Sequence, residues 1–192
     1  LPVIFFLLAL VFASIGPGNI AATALLAPVA MAAAGRAGVP AFLMAIARSA
    51  ARDRSGEILG VALLDVSTGE FSAAEYCGVE GVQALVDELQ VLKPREILVP
   101  AGPDAKPAAD EWPMLNGSSV SVTALEGWAF ETESARRVLL DQLRAGGLEG
   151  FGLDGHPTAV CAAGALVHYL RTTQKVDLAH VRSIGYRQRA DG

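Results

Sequence analysis

The chain has 192 residues, 15 Lys and Arg against 20 Asp and Glu, a net charge of −5 and a hydrophobic fraction of 52%. That length allows one good core, or one domain with an appendage. The acidic balance, with no basic stripe, excludes a chain that holds nucleic acid by its own charge; Arg182, Arg187 and Arg189 are too small a cluster and read as a solvated segment.

Charge is spread unevenly. Between residues 1 and 47 the only charged side chain is Arg36, after which Arg48, Arg52, Asp53, Arg54 and Glu57 come in quick succession. Leu1 to Ile15 and Ile20 to Ala34 are apolar runs of 15 residues each, separated by Gly16-Pro17-Gly18-Asn19. Each is shorter than the roughly 20 residues that cross a bilayer as a straight helix. A signal peptide wants a basic start, which is lacking here. A buried soluble hairpin makes poor use of Phe5, Phe6, Leu7, Leu8, Leu10, Val11 and Phe12, apolar all round. Apolar helices broken by Gly, Pro and Asn are a transporter pattern. GPGNIAATALLAPVAMAAAGRAGVPAFLMAI resembles part of the malonate and dicarboxylate carriers, over residues 1–46 only. That resemblance implies one or two apolar helices, membrane association of residues 1–46 and an incomplete anion carrier. A junction is expected at residues 48–56.

Glu57–Asp65 (EILGVALLD) reads as a strand whose continuous apolar centre, Val61–Leu64, suits burial on both faces. Ser67-Thr68-Gly69 carries turn chemistry, and Glu70–Glu75 returns as the second strand of a hairpin. Val82, Leu85, Val86, Leu89 and Leu92 recur at helical spacing over Val79–Leu92, and Lys93-Pro94 stops that helix. Glu96–Val99 is a short strand closed by Pro100. Prolines 100, 103, 107 and 113 make Ala101–Pro113 an irregular connection, and Ser119–Leu125 alternates as an edge strand. A helix capped by Thr132 or Ser134 is predicted to run to about Arg144, with Ala135, Val138, Leu139 and Leu143 inward. GFGLDG at residues 150–155 follows a helix and lacks the Walker series, so it reads as a plain loop. Pro157 suits a first helical position ahead of a long helix over Thr158–Thr173. Asp177–Gln188 is expected to be extended and to stop without a closing element.

Cys77 and Cys161 show no CxxC pattern, which fits a reducing compartment rather than a disulfide framework or zinc ribbon. His156, His168 and His180 recur every twelve residues, but none has a second His or a Cys at ligand spacing, so no metal is expected. Asp65 ends a strand, with Glu70 across the turn and Asp154 distant. Three carboxylates converging there would make a two-metal nuclease of the ribonuclease-H-like kind; a turn-forming Asp is the plainer reading.

The order strand, hairpin, helix, strand, further strand and two helices suits a ribonuclease-H-like α/β unit with a mixed sheet and flanking helices. GVALLDVSTGEF, LKPREILVP, WAFETESARRVLLDQL, LEGFGLDGHPTAVCAAGALVHYLRTTQK and LAHVRSIGYRQ together resemble the bacterial DNA mismatch repair family MutS over residues 57–190. The resemblance implies a connector domain at residues 57–175 and the start of the core domain at 176–192, truncated. It implies a non-catalytic module that relays conformational state and docks a MutL-like repair protein, in contact with the remaining MutS domains. No counterpart of the family's mismatch-reading domain or Walker ATPase is visible. Mismatched DNA, ATP and Mg would therefore belong to other domains, and no cofactor is expected here. The exposed side of ETESARRVLLDQL, with Glu133, Arg136, Arg137 and Asp141, is the expected partner face, and a solvated charged helix is the plainer alternative. The resemblance places the repair segment in the cytoplasm.

Overall fold

A computed structural model describes residues 42–49, 56–102, 112–115, 120–175 and 178–188 of the protein. The chain divides between Pro40 and Ala41, and all these residues belong to the second unit. The apolar helices expected before residue 41 lie outside the described residues.

The strands are Phe42–Arg48 (β1), Ile58–Asp65 (β2), Phe71–Cys77 (β3), Glu96–Pro100 (β4), Ser121–Leu125 (β5) and Gly185–Tyr186 (β6). They form one mixed sheet in the order β5–β4–β1–β2–β3–β6. β1, β2 and β3 run antiparallel in succession; β4 is parallel to β1, β5 to β4 and β6 to β3. The helices are Gly78–Leu92 (α1), Thr132–Leu143 (α2) and Pro157–Thr172 (α3). Alternation along the strands feeds two cores. Leu43, Ala45, Ala62, Leu64, Phe71 and Leu98 meet α2 and α3 on one face, with Leu139, Leu143, Leu166 and Leu170. Met44, Ile46, Val61, Leu63, Tyr76 and Ile97 meet Leu85 of α1, Trp112 and Leu115 on the other. This is the α/β arrangement of mixed sheet and flanking helices that the pattern of elements predicts. No helix among the described residues is long and apolar enough to cross a membrane.

β1 departs from the sequence expectation. Residues 42–46 read as the end of the carrier-like run, and Arg48 as the start of a junction. Instead Phe42–Arg48 pairs with Asp65–Leu59 over its whole length and with Glu96–Leu98 on its other side. An interior strand covered on both faces is apolar at consecutive positions. Leu43 to Ala47, all buried, therefore look like more of the apolar text before them. The unit begins at residue 41, not 57, and the expected junction falls between two paired strands.

The other end shifts as well. Leu178, Val181 and Ile184 are buried in the helix-side core, and β6 pairs with Ser72 and Ala73 of β3. Residues 178–188 thus pack onto the unit rather than starting a separate body.

The β2–β3 turn is as read. Asp65 Oδ1 accepts from the Ser67 amide at 2.8 Å, the Ser67 hydroxyl and the Thr68 amide at 3.2 Å. Gly69 takes φ +78 and donates to the Asp65 carbonyl. Partial burial raises the Asp65 pKa, but the hydrogen bonds from Ser67 and Thr68 outweigh it and leave it below the ordinary 3.8. A carboxylate lowered in the folded state contributes fully above its unfolded value, and the contribution is lost as pH falls through the folded one. NMR of residues 65–70 should therefore show the turn intact at neutral pH and loosening only below about pH 4. At pH 7, Asp65→Ala should cost about 1 kcal/mol by chemical denaturation; a neutral result would remove this account.

α2 starts where predicted, but neither Thr132 nor Ser134 caps it. The N-cap is Glu131, without a side-chain cap bond, and the start is set by the preceding turn Gly127–Phe130, which buries Ala129 and Phe130. The Thr132 hydroxyl lies 3.4 Å from Cys161 Sγ instead. Pro157 does open α3. The free amides of its first turn are met from across the sheet. Glu75 Oε1 accepts from Thr158 at 2.9 Å and Ala159 at 3.1 Å, and Oε2 lies 3.0 Å from His156 Nδ1. A carboxylate is the favourable partner for a helix N-terminus.

Candidate functional site

The helix-side face carries the groups expected to meet a partner, and besides the packing of Leu178, Val181 and Ile184 a buried polar side chain ties it to residues 178–188. Gln142, in the last turn of α2, is only 6% exposed. Its amide donates to the carbonyls of Leu178 at 2.8 Å and Val181 at 2.9 Å. Its oxygen accepts from Arg171 Nε of α3 at 3.0 Å, and Arg171 Nη1 pairs with Asp141 at 2.7 Å. Both amide hydrogens and the oxygen are thus used, so α2, α3 and the 178–188 segment hold a common position. Above this network lies a cleft of about 370 Å³ lined by Asp141, Arg144, Arg171, Leu178 and Arg182.

The four expected partner residues do not form one free row. Glu133 and Arg137 are exposed. Arg136 is half-buried and lines a second cleft, of about 260 Å³, with Leu148, Asp154 and His156. Asp141 is held by Arg171. Further down α3, the Tyr169 hydroxyl donates to Glu96 Oε1 at 2.9 Å, and Thr123 of β5 donates to the same oxygen. Burial, reinforced by that carboxylate, holds the Tyr169 hydroxyl above its usual range. Burial likewise pushes up the Cys161 thiol, which keeps it protonated and unreactive at neutral pH.

The three histidines occupy unrelated settings. His156 stacks on Tyr186 at 3.8 Å between ring centroids, His168 meets the edge of Trp128, and His180 Nε2 lies 3.2 Å from the Val66 carbonyl. Asp65 is occupied by its turn. Among the described residues, no group of three or more His, Cys, Asp or Glu is placed to hold a metal ion.

The family profile for MutS domain II matches residues 41–182. The chain belongs to the MutS domain II family. DNA mismatch repair protein MutS of Symbiobacterium thermophilum is 36% identical over 143 residues, 74% of this chain and 15% of that protein. Those of Protochlamydia amoebophila and Syntrophobacter fumaroxidans are each 36% identical, over 70% and 74% of this chain and 15% of theirs. The chain thus spans about 15% of the length of the curated relatives it matches.

The match starts at β1 and closes at Arg182, so this MutS domain II includes the strand misread as carrier text and every residue bonded to Gln142. Neither Gln142 nor Glu75 was singled out from sequence. Each looks like an ordinary polar position, and its partners lie 29 to 39 and 81 to 84 residues away. Gln142→Leu, which keeps the bulk, takes the side-chain donor from the Val181 carbonyl and the acceptor from Arg171 Nε, while the Leu178 carbonyl keeps its bond from the Val181 amide. It should cost about 1–3 kcal/mol in denaturant unfolding. Amide exchange should rise over residues 178–188 while β1 and β2 stay protected; uniform exchange across the sheet would refute a local role.

Proposed function

We propose that residues 41–188 are the connector module of a MutS-type mismatch repair protein. It is a binding and relay unit rather than an enzyme, acts in the cytoplasm and docks a MutL-like partner on the outer side of α2. The observation that carries this reading is the Gln142 network, which makes the position of residues 178–188 depend on how α2 and α3 are placed. A partner pressing on α2 then acts on the 178–188 segment through a rigid link. Glu133, Arg137 and Asp141 form the exposed row of the partner face, with the half-buried Arg136 beside it. The family match and the mismatch repair names of the relatives support the pathway; mismatch reading and ATP hydrolysis are assigned to other parts of such proteins.

The test is a chimera in which residues 41–188 replace the matching segment of the Symbiobacterium MutS. The chimera should lower the mutation rate of a MutS-deficient host and capture MutL on mismatched DNA. Glu133→Lys with Arg137→Glu should reduce that capture without changing mismatch affinity. A folded chimera that binds mismatched DNA yet neither captures MutL nor lowers the mutation rate would sink the connector reading. Unchanged capture by the charge-reversed chimera would remove the α2 face.

A further inference from the structure

The cleft at the C-terminal ends of α2 and α3 concentrates positive charge on a unit whose chain is acidic overall. Arg144, Arg171 and Arg182 line it against one carboxylate, Asp141. Asp141 is already paired with Arg171, whereas Arg144 and Arg182 make no side-chain hydrogen bond or ion pair among the described residues. Arg144 takes the left-handed backbone, φ +53, that ends α2. Arg182 stands next to Val181, whose carbonyl is held by Gln142. Two exposed guanidinium groups from different segments, neither held by a protein partner among the described residues, thus border one cleft. Their planar donor forks suit an oxyanion bound by paired hydrogen bonds.

We propose that this cleft binds carboxylate side chains of an acidic segment of a protein partner, and that it is complete only while residues 178–188 are docked. The inference rests on the connector reading and deepens it. A nucleic acid backbone is disfavoured because phosphate tracking needs a basic stripe several contacts long. Here three arginines and a carboxylate share one short, solvent-open cleft, on a chain of net charge −5. The composite construction gives the occupant a regulatory effect. A ligand that needs Arg182 in place favours the docked segment by its differential affinity, and undocking the segment releases the ligand.

The test uses the full chain and a fluorescein-labelled peptide of alternating Asp, Glu and Gly, read by anisotropy, against a control with Asn and Gln at the acidic positions. The acidic peptide should bind in a salt-sensitive way and the control should not. The pair Arg144→Ala and Arg182→Ala, both at exposed positions, should weaken binding by about tenfold. Gln142→Leu, which removes no charge, should also weaken it under conditions where circular dichroism shows the helices intact. Equal loss of peptide from the parent and the double variant, or tighter binding of a DNA duplex than of the peptide, would overturn the site. Parent-like binding by Gln142→Leu would overturn its dependence on the docked segment. None of these results depends on the chimera, so a failed cleft and a failed connector reading are separable.

Discussion

Residues 50–192 produced alone are expected to stay unfolded, whereas residues 41–192 should fold cooperatively. The nine residues of difference contain β1, one of the two middle strands of the sheet. Met44, Ala45 and Ile46 are fully buried, with Leu43 5% and Ala47 2% exposed. Burying Leu43, Met44 and Ile46 alone is worth about 5–9 kcal/mol, comparable to the whole stability of a domain, about 5–15 kcal/mol. Removing β1 also strips the ladder partners from β2 and β4 together, leaving two inward edges. Far-ultraviolet circular dichroism and the sharpness of urea unfolding decide the matter. A cooperative transition for residues 50–192 would show that β1 is dispensable.

The second large effect is expected at Gly60. It sits in β2 between Ala47 of β1 and Glu75 of β3, under the first turn of α3. An added Cβ would overlap the Thr158 carbonyl and lie 2.6 Å from the Ala159 nitrogen. These are backbone atoms of a helix whose start is held by Glu75, so no side chain can swing aside. Gly60→Ala must lift the helix off the strand, and in doing so it breaks the two bonds from Thr158 and Ala159 to Glu75. The expected loss is at least about 3 kcal/mol, combining overpacking with newly unpaired amides. Gly127→Ala, at a site with nothing within 4 Å, is the control and should be close to neutral. Thermal unfolding of the two variants side by side gives the answer. Equal melting temperatures would mean that α3 does not press on β2 as described.

What the sequence disclosed depended on whether a signal was local. The β2–β3 hairpin was readable because Asp65, Ser67, Thr68 and Gly69 make their turn among themselves. α1 and α2 were readable from apolar spacing, and α3 from Pro157 and its alanine-rich face. β1 was hidden because burial on both faces erases alternation, and its apolar residues continue an apolar stretch upstream. The candidate site was half legible. Glu133 and Arg137 were recognisable as an exposed charged face, but the long-range pairings were not. Arg171 follows Leu170 like any helix-terminal arginine, and nothing near it announces Asp141 or Gln142. Gln142 could equally have faced water. Its role depends on two carbonyls that only tertiary packing brings into reach.

Residues 178–188 are attached in a way that matters when the chain is under tension. A pull applied at residue 188 first loads the hydrogen bond from the Arg187 amide to the Ala73 carbonyl and the Arg187–Glu88 pair. It reaches the two-residue β6 ladder and the Tyr186 stack on His156 next, and the Gln142 bonds last. Contacts met one after another give way at lower force than contacts that share a load, as the seven residue pairs of β1 and β2 do. The segment is therefore expected to give way from residue 188 inward, with Leu178, Val181 and Ile184 of the helix-side core released last, before the β1–β2 ladder yields.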